Sequence, residues 1–155
     1  MLGSLARKLR AFGFDTSYYG KGDDEGIITL AASQHRIMLT ADRTLRDRAL
    51  SRGATAFLVS GSTDGRRISS ILASALDAGT RIVRGPPLCS VCGGSLLKVP
   101  RRHAADLVPS GVARRHRFFL RCTACGRVYW RGSHWKKLRN LERAFGPRKK
   151  SYGDP

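Results

Sequence analysis

Two cysteine pairs, Cys89-Ser-Val-Cys92 and Cys122-Thr-Ala-Cys125, use every cysteine of the 155-residue chain and stand 29 residues apart. Each Cys-x-x-Cys presents two thiolates from one tight turn, and two such turns supply the four sulfurs of a tetrahedral zinc site. Gly93-Gly94 after the first pair and Gly126 after the second free the backbone to curl around an ion. The competing chemistries are two disulfides or a dithiol redox centre. No secretory signal is visible, and neither pair sits in a redox-type βαβ context. Four protein sulfurs leave no position for water, so Zn²⁺ on Cys89, Cys92, Cys122 and Cys125 is expected to fold the chain around it and not to catalyse.

Any catalysis would then fall to carboxylates. Cleavage of a phosphodiester needs acidic side chains converging on Mg²⁺ or Mn²⁺, because hard oxygen ligands suit those ions and the metal activates water. Asp42, in Leu39-Thr-Ala-Asp-Arg43, follows a short apolar run, and Asp24 stands between Asp23 and Glu25 before another. Both have a plainer reading. Asp42 is placed to cap a helix, and the acidic triplet to complement a helix dipole.

Charge points to the partner. The chain carries 29 Lys and Arg against 11 Asp and Glu, a formal net charge of +18. Residues 89–155 alone hold 16 cations and three acids. Such a field calls for a polyanion, and nucleic acid is the commonest. No apolar run approaches the roughly 20 residues that span a bilayer, so no membrane partner is expected, nor is a small-molecule substrate. Reduced cysteines and no targeting segment indicate the cytoplasm.

The arginines are also interleaved with aromatic rings. Arg101 and Arg102 open a long stretch between the cysteine pairs. Arg114, Arg115 and Arg117 surround His116 and precede Phe118-Phe119, and Arg127 and Arg131 flank Tyr129-Trp130. Guanidinium groups bind phosphates and aromatic faces stack on splayed bases, which suits RNA. With few acids nearby, phosphate contact is the expectation for these arginines and for Lys136 and Lys137. The aromatics Phe119, Tyr129 and Trp130 are expected to form a small core. His134 is read as structural.

The elements that must position these residues follow from periodicity. Residues 2–12 put Leu2, Leu5, Ala6, Leu9 and Phe12 on one helical face and Arg7, Lys8 and Arg10 opposite, with Gly13 as the stop. Helices over 27–33, 42–50 and 66–78 alternate with strands over 36–39 and 56–59, and Ile68, Ile71, Leu72 and Leu76 are expected to face inward. This βαβ rhythm implies a parallel sheet whose sites lie at the carboxyl ends of the strands. Short strands over 95–99, 117–121 and 127–129 surround the cysteines, with an insertion over 100–116. A last helix spans about 134–145, its stripe of Trp135, Leu138, Leu141 and Phe145 available to pack on the first domain. Arg148-Lys-Lys150 opens a basic tail. The expected division is 1–85, an α/β domain; 86–133, a zinc ribbon with a basic insertion; and 134–155, a helix and tail.

Several strings recur in one order: Met1-Leu-Gly-Ser-Leu-Ala-Arg-Lys-Leu-Arg10, Gly13-Phe-Asp-Thr16, the acidic turn before Ile27-Ile-Thr-Leu-Ala31, Arg36-Ile-Met-Leu-Thr-Ala-Asp-Arg43, the two cysteine pairs, and Val128-Tyr-Trp-Arg-Gly-Ser-His-Trp135. Over residues 1–136 the chain resembles the PIN-like ribonuclease domain family typified by the C-terminal domain of the Mut-seven exonuclease. The resemblance implies an α/β fold, with a PIN-like parallel sheet and flanking helices followed by a zinc ribbon and a C-terminal helix. It also implies a metal-dependent endoribonuclease, with Asp24 and Asp42 at the family's acidic positions and Asp23, Glu25 and Asp64 as weaker candidates. One departure stands out. Family members usually have a hydrophobic strand ending in aspartate before the Met-Leu-Gly segment, and this chain begins at Met1. Either its start codon is assigned too late or a principal metal ligand is gone. In the second case the expectation becomes a non-catalytic, rRNA-binding ribosomal or ribosome-associated protein that has lost the PIN-like active site. A toxin-like nuclease has only the fold in its favour.

Overall fold

The computed structural model describes residues 2–20 and 22–143. These form two compact units, and the first helix, α1 (Gly3–Ala11), contributes to both: residues up to Leu5 group with Tyr18–Val83, and Ala6–Ser17 with Arg84–Arg143.

The first unit is α/β. Its strands β1 (Met38–Thr40) and β2 (Ala56–Leu58) pair in parallel, Met38 opposite Ala56 and Thr40 opposite Leu58. They are joined through helix α3 (Arg43–Ser51), which packs on both. Helix α2 (Asp24–Ser33) covers β1, and α4 (Asp64–Asp77) covers β2. Ile28, Ala31, Met38, Ala49, Ala54 and Ala56 make the core between α2, α3 and the sheet. Each helix begins on an oxygen cap: Asp23 accepts from the Gly26 amide, Asp42 from Leu45, and Thr63 from Arg66. The caps of α2 and α4 set starts three and two residues earlier than apolar periodicity alone implies.

One expected core residue is not there. Leu76 is 81 % exposed, whereas Ile68, Ile71 and Ala75 are buried. At about 100° per residue, Ala75 lies close to the Ile68 direction and Leu76 about 80° off it, so the small residue faces inward and the large one outward.

The second unit is built on an antiparallel ribbon. Strand β3 (Leu96–Pro100) pairs with β4 (Phe118–Cys122), and β4 with β5 (Val128–Tyr129). The insertion between β3 and β4 is ordered as two single 3₁₀ turns (Arg101–His103 and Ala105–Leu107) and a short helix α5 (Ser110–Arg115), closed at its foot where the Arg101 amide donates to the Arg117 carbonyl at 2.9 Å. Helix α6 (Ser133–Arg143) follows, and its Glu142 pairs with Arg84, whose Nε also donates to the Phe12 carbonyl. Phe145 and Arg148–Lys150 lie outside the described residues, as do the side chains of His134 and Lys136.

The end of α1 locks into this unit. Gly13 has φ +88°, and the amides of Phe14 and Gly13 donate back to the carbonyls of Leu9 and Arg10, a Schellman stop. The Gly85 amide then donates to the Gly13 carbonyl at 2.8 Å, and a Cβ on Gly13 would lie 2.0 Å from the Gly85 oxygen. Only glycine fits. Arg10, expected on the polar face, is instead buried.

Candidate metal centre and basic surface

The two cysteine turns are copies of one another. Gly93 N–H donates to the Cys89 carbonyl and Gly126 N–H to the Cys122 carbonyl; the Cys89 amide donates to Gly94 O and the Cys122 amide to Arg127 O. Gly93 and Gly126 take φ values of +80° and +72°, a region that favours glycine. Gly94 is demanded by space, since a Cβ there would lie 2.9 Å from Ala124 Cβ and 3.0 Å from Cys122 Sγ.

The turns bring all four sulfurs within 4.8 Å of one another, with Cys89–Cys125 at 3.6 Å and Cys92–Cys122 at 3.5 Å. None is in a disulfide. An ion bonded to four sulfurs at about 2.3 Å sets them about 3.8 Å apart, so this set fits a tetrahedral metal and could hold zinc. Amides of Gly94 and Cys125 point at Cys92 Sγ and Cys122 Sγ, at 3.4 and 3.5 Å. Burial pushes the Cys89 thiol up, but the amides of Cys92 and Val91 and the Tyr129 hydroxyl bring it down to about 6. The Gly94 amide lowers the Cys92 thiol, yet the neighbouring sulfurs of Cys122, Cys89 and Cys125 push it up to about 12. Four thiols so close do not all ionise without a cation among them.

Two residues that support this centre were not legible as such in the sequence. Tyr129 places its hydroxyl 3.0 Å from Cys89 Sγ and 3.3 Å from Ser90 Oγ. Arg10 donates from one nitrogen to the Val91 and Ser90 carbonyls at 2.7 and 3.3 Å, and from Nε to the Thr16 carbonyl at 2.6 Å. It thereby fixes the two residues between the cysteines of the first pair. Of the aromatics, Phe119 is core at 2 % exposure, but Trp130 is 38 % exposed and Phe118 is 55 % exposed with the Lys98 ammonium 4.4 Å above its ring.

The cationic residues lie open. Arg101, Arg102, Arg114, Arg115, Arg117, Arg127, Arg131 and Lys137 are exposed. Among the described residues none of them forms a salt bridge.

The acidic residues of the first unit are engaged differently. Asp42, at the carboxyl end of β1, caps α3 and takes the Thr40 hydroxyl oxygen on its own amide at 3.0 Å. Asp24 meets Arg48 at 3.0 Å, and Glu25 is bound by both Arg48 and Arg52. Asp23 caps α2, and Asp64 faces Arg67 at 3.7 Å. Among the described residues the cysteines are the only three or more His, Cys, Asp or Glu side chains close enough to share a metal ion. No described helix is long and apolar enough to cross a membrane.

No curated protein and no solved structure is detectably similar to this sequence. The profile described as the Mut7-C RNAse domain matches residues 1–141, which include the parallel sheet, both cysteine turns and most of α6, and the chain belongs to the Mut7-C RNAse domain family.

Proposed function

We propose that this chain binds RNA through its ribbon unit, stapled by Zn²⁺ on the four cysteines, with the arginines of the insertion and those flanking β5 taking phosphates. One observation carries the reading: the described residues of that unit hold 17 Lys and Arg against three Asp and Glu, and among the described residues its exposed arginines form no ion pairs. Unpaired surface cations near one another are unfavourable alone and become favourable when counterions are released from a polyanion. Changing Arg114→Ala together with Arg115→Ala weakens RNA binding and lowers the slope of log affinity against log salt by about 1.4 for single-stranded RNA, the share of two phosphate contacts. An unchanged slope removes the insertion from the interface.

A second reading, metal-dependent RNA cleavage, draws on the family and on Asp42's place at the carboxyl end of a parallel strand. Asp24 and Asp42 would be the first ligands of Mg²⁺ or Mn²⁺, which would supply an activated water. The Asp24–Arg48 pair is exposed and worth at most about 1 kcal/mol, so a divalent ion can displace it. Against this, among the described residues Asp24 and Asp42 belong to no group of three or more His, Cys, Asp or Glu side chains close enough to share a metal ion. Sedimentation of the native protein at low and high salt separates the two. Salt-resistant association with a ribosomal subunit supports a non-catalytic rRNA-binding role. A free protein that cuts RNA with Mn²⁺, and stops when Asp42→Asn is made, supports the nuclease.

A further inference from the structure

The ribbon's third strand runs past an open groove of about 770 Å³ that begins at the Cys125-Gly126 turn and whose wall includes Leu107, Arg127, Val128, Tyr129, Trp130 and Gly132. Tyr129 sends its hydroxyl to Cys89, and Trp130, next along the chain, leaves 38 % of its surface to solvent. Gly132 is what seats the indole: its amide donates to the Trp130 carbonyl at 3.0 Å, and a Cβ there would lie 3.0 Å from Trp130 Nε1. The ring is therefore held against the backbone on one side and is open on another. Arg127, exposed and without an ion pair among the described residues, is in the same wall.

We infer that this groove is a subsite for an unpaired nucleobase, with Trp130 as the stacking platform, Leu107 and Val128 as the apolar wall and Arg127 on the adjoining phosphate. The inference deepens the RNA reading and rests on it, because it names single-stranded RNA as the substrate class. The chemistry is an apolar aromatic face beside a bare cation inside a strongly positive unit, and an unpaired nucleotide carries the matching base face and phosphate. Bases inside a duplex are already stacked on their neighbours and cannot offer a face to the indole. Duplex RNA would meet only the arginines.

Trp135→Phe leaves Trp130 as the one indole reporter and keeps a ring beneath the Arg131 guanidinium, 5.8 Å from its centroid in the parent. In that background, a short oligouridine is expected to quench Trp130 emission, while duplex RNA and inorganic polyphosphate bind without quenching it. Trp130→Ala is expected to weaken oligouridine binding roughly 10- to 100-fold and leave duplex affinity and salt slope unchanged. Trp130→Phe should recover most of the loss, which a fault in folding would not; zinc content and melting temperature report the fold of each variant. Equal losses for single-stranded and duplex RNA, or no loss with both still bound, overturn this subsite and leave the RNA reading standing. Binding of neither RNA overturns both.

Discussion

Chelating a metal held by the four cysteines, or changing Cys92→Ser, is expected to unfold the ribbon. The reason is the size of what remains. In the segment from Arg84 to Arg143 the buried apolar residues are Cys89, Ala104, Ala113, Phe119 and Cys122. Two of these five are cysteines of the candidate centre and two are alanines, so Phe119 is this segment's single large side chain sealed from water, joined in the unit by Leu9 of α1 and Phe12 just past its end. Burial of each is worth about 1.5–3 kcal/mol, and the three together remain below the ordering entropy of three strands. A structural zinc supplies about 10–16 kcal/mol in comparable small domains, which exceeds most of the total stability of an ordinary domain. The expected result is loss of amide protection across β3, β4 and β5 on chelation, and a Cys92→Ser protein without stoichiometric zinc. A Cys92→Ser protein that keeps its melting temperature with the metal gone would show that the ribbon stands on packing. The double Arg114, Arg115 variant gives the internal contrast: it loses RNA affinity while keeping zinc.

What the sequence made legible was the chemistry that depends on spacing. Two Cys-x-x-Cys pairs followed by glycine can form few other things, and the structure supplies the matched turns and the sulfur distances. The alternation of helices and strands was legible for the same reason, since apolar period and oxygen caps are local properties. Side-chain direction at the margin of a stripe was not. Leu76 and Trp130 are apolar by type, but one lies about 80° off the buried face of its helix and the other is seated outward by a glycine two residues on. The insertion offered no strong period, and its two 3₁₀ turns and short helix are held by backbone bonds that residue types do not announce. At Asp24 the hidden fact was long-range: Arg48, 24 residues away, occupies the carboxylate.

Arg10 is the case where residue type misleads most, and its removal should be the costliest change outside the ligands. Helical periodicity assigns it to solvent with Arg7 and Lys8, yet 8 % of it is exposed. A guanidinium tolerates burial when its planar fork of donors is filled, and here the carbonyls of Thr16, Ser90 and Val91 fill it. Its own carbonyl meanwhile accepts from Leu88 and Gly13. One residue thus ties the end of α1, the approach to Cys89 and the turn between Cys89 and Cys92. Arg10→Met keeps the apolar stem and removes the three donors, leaving carbonyls unsatisfied beside the metal turn. With each hydrogen bond to a charged group worth about 1.5–3 kcal/mol and one of the three long, a loss of about 3–5 kcal/mol is expected. Loosening a shell that orients ligands also predicts a zinc affinity lower by roughly 10- to 100-fold. Arg10→Lys should recover little of either, because one ammonium lacks the planar fork that reaches all three carbonyls. Denaturant melts at saturating zinc read the first effect, and competition with a chelator reads the second. If Arg10→Met unfolds within about 0.5 kcal/mol of the parent and holds zinc equally well, the buried arginine is a passenger and the knuckle is set by the cysteines and glycines alone.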